Sequence, residues 1–221
     1  MTIAFISLFP SIIDTYLRSS VLGRAFQKKL FSFKVYNPID DADLPHRHVD
    51  DHPYGGGKGM ILKVDVLAKT LERVKNDLDL TSLEQFKDEC EVIVPAPAGI
   101  EFNQSAAREL VTKKCLIFVC GRYEGIDQRF IELYATKIYT VGRYIVSGGE
   151  LPALSIADAT LRLVAGVLSE GSAADESYTN GDNIEYPQYT RPVEFGGMSV
   201  PEVLLSGDHK AIREWRKKNS K

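Results

Sequence analysis

The chain has 221 residues, 44% of them hydrophobic, and a formal net charge of -3. It is long enough to bury a sizeable core, its composition excludes a disordered or fibrous protein, and its charge excludes a surface that attracts nucleic acid everywhere, so any RNA contact must come from a local patch. Three cysteines without CxxC spacing (Cys90, Cys115, Cys120) read as reduced core residues. An N-terminal apolar run broken by Pro10, with no basic segment ahead of it, predicts neither a signal peptide nor a membrane span and points to the cytoplasm.

In chain order, β-rich apolar runs alternate with helical periodicity. Ile3–Phe9 predicts a strand ended by Pro10, Ile12–Leu30 a helix, Ser32–Tyr36 a strand and Val64–Leu78 a helix. Then come a strand at Glu91–Val94, a helix at Ser105–Lys113 capped by Asn103, a strand at Leu116–Val119 and a helix at Gln128–Ala135. A strand at Lys137–Val141 and a helix at Leu151–Leu168 complete an α/β domain around a largely parallel sheet, over residues 1–168. Two stretches lack periodicity, 37–59 and 169–192, and loops that long are functional or linkers. We therefore expect a linker over 169–190 and a small helical appendage over 191–221. Its last fourteen residues carry six basic side chains against two acidic ones, which suits either RNA or a solvated helix end.

Four motifs are candidates for ligand contact. In HPYGGGKGM (52–60), Gly57 and Gly59 let backbone approach a ligand closely. A phosphate loop is excluded, because His52 stands where the first glycine belongs and Gly59 follows Lys58 in place of a hydroxyl residue. CGRYEGIDQR (120–129) leaves a strand end carrying Gly121, Arg122, Tyr123, Glu124 and Gly125, and VGRYIVSGGELPA (141–153) leaves another. PAPAG (95–99) rigidifies a third exit with Pro95 and Pro97, which suits a dry pocket for a purine ring. Taken singly, these motifs also read as a flexible loop, an ion-paired turn, a helix entry and an ordinary strand exit.

Taken in order, VDDHPYGGGKGM, VCGRYEGIDQR, YIVSGGELPALSIADA, YPQYTRP and LLSGDHKAIREWR resemble the bacterial tRNA (guanine-N1)-methyltransferase family of the TrmD type, from ISLFP near the start to IREWR near the end. The resemblance implies a trefoil-knotted SPOUT methyltransferase fold, a homodimer, and S-adenosylmethionine bound in the knot. By similarity the donor lies among Pro95, Pro97, Gly121, Arg122, Tyr123, Glu124, Gly125, Val141, Gly142, Arg143, Tyr144, Ile145, Val146, Gly148, Gly149 and Pro152. The implied substrate is the guanine at position 37 of tRNA, methylated on N1, with Gly57, Gly59, Lys210, Arg213 and Arg216 on the RNA. Magnesium is implied as well, without a site.

N1 carries a proton, so transfer needs a base, and charge growing on O6 needs a cation. The resemblance assigns the cation to Arg162, an arginine among Leu161, Leu163 and Val164 that otherwise reads as a helix-face residue. The family's base is an aspartate before a Ser-aromatic pair; here Glu176 precedes Ser177-Tyr178 and Asp175 stands one earlier, so either carboxylate fits the role. Lys58, Arg143 and His52 also depart from the family pattern, and the appendage is expected to be shorter than in relatives with further helices. The competing readings are a knotted methyltransferase for another base, a non-catalytic RNA-binding module and a nucleotide hydrolase.

Overall fold

A computed structural model describes residues 1–79, 89–169, 176–179, 181 and 183–221. The chain separates into two compact units, Met1–Leu168 and Ser169–Lys221.

The first unit is built on five parallel strands, β1 (Thr2–Ile6), β2 (Ser32–Tyr36), β5 (Cys90–Glu101), β6 (Cys115–Val119) and β7 (Lys137–Thr140), in the order β2-β1-β6-β5-β7. Side chains alternate across the pleat. Ala4 and Ile6 face a layer with Val66, Leu71 and Phe130, while Ile3 and Phe5 face Ile13, Leu110 and Ile156. Helices α3 (Val64–Asp77) and α5 (Gln128–Tyr134) cover the first face. Helices α1 (Pro10–Leu17), α2 (Ser20–Gln27), α4 (Gln104–Leu110) and α6 (Glu150–Leu161) cover the second. Both faces of the sheet are therefore covered, as parallel sheets require. A short antiparallel pair, β3 (Asp50–Asp51) with β4 (Ile61–Leu62), carries the glycine-rich loop between its strands.

Three elements differ from the sequence expectation. The helix read over Ile12–Leu30 breaks at Arg18–Ser19, where Ser20 takes a left-handed φ of 51°. The chain then closes on itself so tightly that a Cβ on Gly23 would lie 2.2 Å from the Arg18 carbonyl oxygen. The helix read over Leu151–Leu168 ends at Leu161. The strand read as ending at Val94 runs on to Glu101 with a slip: Pro95 and Ile100 both pair with Tyr139, and residues 96–99 bow out between them. Pro95 and Pro97 have no N–H to give the ladder, which forces the excursion.

The second unit holds a hairpin, β8 (Glu194–Phe195) with β9 (Met198–Ser199), turned by Gly196-Gly197 at φ 57° and 79°. Two helices follow, α7 (Glu202–Leu205) and α8 (His209–Asn219). Asp208 caps α8 by accepting from the N–H groups of Lys210 and Ala211. Tyr186 and Tyr189 meet Trp215 edge-on at 6.4 and 6.2 Å. The described end of the stretch expected to be linker thus packs within this unit.

Candidate active site

The strands deliver their carboxyl ends to one edge, where open α/β sheets bind ligands. Three segments meet there: the excursion of β5, the loop after β6, and the loop between β7 and α6. They enclose a cavity of about 300 Å³. Pro95, Pro97, Gly121, Arg122, Tyr123, Glu124, Gly125, Val141, Gly142, Tyr144, Ile145, Val146, Gly148, Gly149 and Pro152 all line it. Ala96, Ile126, Ile131, Tyr139, Thr140 and Ser147 line it too and were not singled out from sequence. Their signal was weak: the apolar ones read as core, and the hydroxyls of Tyr139, Thr140 and Ser147 are common on any strand or loop. Arg143 is elsewhere, in a neighbouring cleft with Gly99 and Glu101.

The walls are backbone packed on backbone. Gly149 N–H donates to the Gly121 carbonyl at 2.8 Å, joining the second and third segments. A Cβ on Gly149 would stand 2.7 Å from Gly121 N, and one on Gly99 would stand 2.6 Å from Tyr139 N. Glycine is required at both because the obstruction is main chain. Tyr123 holds a left-handed φ of 57° at the rim and is exposed.

Behind the cavity lies a buried charge that the sequence did not reveal. Glu150, 1% exposed at the start of α6, accepts a hydrogen bond from Ser7 Oγ at 2.7 Å and sits 2.8 Å from Arg122 Nη2. Arg122 also donates to the Ser147 carbonyl at 3.2 Å and lies 4.1 Å from the centre of the Phe9 ring. Cys120 is buried here; desolvation first and the Glu150 charge second push its thiol well above the usual range, so it stays protonated.

The glycine-rich motif docks on the same loop. Glu124 N–H donates to the Met60 carbonyl at 2.9 Å, Leu62 N–H to Gly125 at 3.0 Å, and Asp127 N–H to Leu62 at 3.1 Å. Gly59 lies against Glu124, whose carboxylate would be 2.5 Å from a Cβ placed there. Gly57, at φ 127°, stands in the exposed arc ahead of it. Arg162 follows the last residue of α6 and is half-buried.

In the second unit Lys210, Arg213 and Arg216 are exposed along α8, with Arg216 4.8 Å from the centre of the Tyr186 ring. Glu176 opens a turn closed by Thr179 N–H on its carbonyl, and Asp175 lies outside the described residues. Among the described residues, no group of three or more His, Cys, Asp or Glu side chains is placed to hold a metal ion, and no helix is long and apolar enough to cross a membrane.

The family described as tRNA (Guanine-1)-methyltransferase TrmD matches residues 1–221. The tRNA (guanine-N(1)-)-methyltransferase of Geobacter sulfurreducens is 43% identical over 221 residues, covering 100% of this chain and 86% of that protein. Proteins of the same name from Dictyoglomus turgidum and Clostridioides difficile are 41% and 39% identical over 220 residues, with 100% of this chain and 85% and 92% of theirs covered.

Proposed function

The chain belongs to the tRNA (guanine-1)-methyltransferase TrmD family, and on that premise we propose how its residues carry out the family's reaction. The protein is a methyltransferase that transfers a methyl group from S-adenosylmethionine to N1 of a guanine in tRNA. The target within the tRNA is the guanine at position 37, beside the anticodon.

The cavity at the sheet edge holds the donor. Its lining suits a flat purine: Pro95 and Pro97 and the Gly121 and Gly148-Gly149 backbones contribute rigid surface, and Tyr144, Ile145 and Val146 are exposed beside them. When bound, S-adenosylmethionine supplies a sulfonium-activated methyl group. Tyr123 and Glu124 lie at its reactive side, toward the guanine. Arg143, in the adjoining cleft, acts at the periphery of the donor site. The loops that leave β5, β6 and β7 form a trefoil knot, a reading supported by the family.

A carboxylate takes the N1 proton as N1 attacks, and Glu176 or Asp175 is that base. Arg162 stabilises the charge growing on O6. Gly57 and Gly59 pass the backbone close to RNA, and Lys210, Arg213 and Arg216 bind phosphates. The knotted domain spans 1–168 and a tRNA-binding appendage 191–221, joined by a linker over 169–190 whose described end packs into the unit of the appendage. The protein works in the cytoplasm as a homodimer with its active site at the subunit interface, a reading supported by exposed Phe9, Ile12 and Tyr16 near or on α1 and Leu151 on α6. Magnesium is implied by the resemblance alone, and among the described residues no group of three or more His, Cys, Asp or Glu side chains is placed to hold it.

The observation that carries this reading is one cavity collecting fifteen of the residues expected at the donor. The test is transfer of labelled methyl to an unmodified tRNA transcript with guanine at position 37, beside one with adenine there. Label on the guanine transcript alone is expected; label on both would sink position 37 as the target. Glu176→Ala should abolish single-turnover transfer if Glu176 is the base, whereas an unchanged rate would assign the role to Asp175.

A further inference from the structure

Charge is costly to bury, and an ion pair in the interior is a poor way to gain stability. Glu150 is nonetheless 1% exposed, and it belongs to a closed ring of contacts. Phe9 N–H donates to Ser7 Oγ at 3.0 Å, Ser7 Oγ donates to Glu150 Oε1 at 2.7 Å, and Glu150 Oε2 meets Arg122 Nη2 at 2.8 Å. The Arg122 guanidinium returns to the Phe9 ring, 4.1 Å from its centre. The ring joins the exits of β1 and β6 to the start of α6, three segments far apart in sequence. It also touches the donor cavity from behind. Arg122 Nη1 holds the Ser147 carbonyl, and a Cβ on Gly148 would lie 2.4 Å from Arg122 Nε.

We propose that Glu150 is a positioning residue for the methyl donor: held by Ser7, it fixes Arg122, and Arg122 fixes the Ser147–Gly149 turn and the Gly121 loop in the geometry that receives S-adenosylmethionine. Glu150 does not line the cavity, so it acts through Arg122 and through the Gly148 backbone, where a Cβ would lie 2.7 Å from its carboxylate. Arg122 in turn spends its charge on this internal ring instead of presenting it to RNA. The inference rests on the reading of the cavity as the donor site. It predicts a selective defect, because the ring belongs to the donor wall and holds none of the residues Lys210, Arg213 and Arg216 assigned to RNA.

The experiment compares wild type, Glu150→Gln and Ser7→Ala for S-adenosylmethionine binding by calorimetry and for steady-state methyl transfer. Glutamine keeps the volume and an acceptor for Ser7 but removes the charge that orders Arg122. We expect the donor Kd and donor KM of Glu150→Gln to rise about tenfold, with kcat within threefold and the tRNA KM within twofold of wild type. Ser7→Ala should shift the donor values in the same direction by about threefold, and it decides the matter if Glu150→Gln does not fold. Donor constants within twofold of wild type in a folded variant would overturn the proposal, as would donor and tRNA KM rising together. Failure of wild type to bind S-adenosylmethionine, or binding undiminished by Ala96→Phe in the cavity wall, would instead remove the donor-site reading on which the proposal rests.

Discussion

The two units differ in how their residues are held. In the first, strands β1 and β6 are buried almost throughout, and the loops leaving the sheet are pinned by main-chain contacts at Gly99, Gly121 and Gly149. In the second, none of the described residues is fully buried, and order comes from half-buried Trp215 and Tyr186 with exposed Tyr189 beside them. The difference suits the two tasks proposed for them. Methyl transfer needs reacting atoms held within a fraction of an ångström, which a glycine-tight backbone site provides. Recognition of a phosphate backbone needs charge at a surface, which α8 provides without a core.

The largest effect should come from attacking the rigid side. In Gly149→Ala the new methyl meets Gly121 N at 2.7 Å and Cys120 Cα at 2.9 Å, both main chain that cannot swing aside. Methyl transfer should fall by about 100-fold, equivalent to about 2.7 kcal/mol, with S-adenosylmethionine binding lost in parallel. A variant with wild-type donor affinity would show that the tight wall is not the donor's. On the other side, replacing Lys210, Arg213 and Arg216 together by alanine should weaken tRNA binding about tenfold and flatten its salt dependence by two to three phosphate contacts. Donor affinity should not move; if it did, the division of labour would fail.

A smaller effect concerns stability. Trp215 is the single tryptophan of the chain, so its fluorescence reports on the second unit alone. With so little buried there, the fluorescence transition on heating should precede the far-ultraviolet circular dichroism transition by several degrees. Coincident transitions would mean that the two units unfold as one.

Much of the first unit was legible because alternation and helical spacing dominate it: Ser32–Tyr36 was read to the residue, and Leu116–Val119 and Gln128–Ala135 to within one. The misses have physical causes. Apolar spacing continues through Arg18–Ser20 and masked the one local sign of the break, Ser19, which stands at the N-cap of α2. Pro95 reads as the end of a strand, whereas β5 sheds its pairing for four residues and resumes it at Ile100. The cavity walls were legible because glycine and proline mark where backbone must come close. Glu150 was not, since the partners that make a charge tolerable in the interior, Ser7 and Arg122, come from distant segments. Nor can periodicity disclose the proposed knot, since a knot is a property of how loops thread.

The smallest effect tests the hinge between the glycine-rich motif and the cavity. Asp127 caps α5 by accepting from Arg129 N–H, and the Arg129 guanidinium, hydrogen-bonded to its carboxylate, holds that group below the usual range for an aspartate. A depressed carboxylate contributes stability that is fully present above its unfolded value. That contribution is lost as pH falls through the lower, folded value. The pair is partly solvated, so the effect is modest. Asparagine caps a helix about as well as aspartate but does not titrate. Asp127→Asn should therefore lower Tm slightly at neutral pH and lose less between pH 5 and pH 3 than wild type does. Parallel Tm curves over that interval would show that the charge on Asp127 adds nothing beyond the cap.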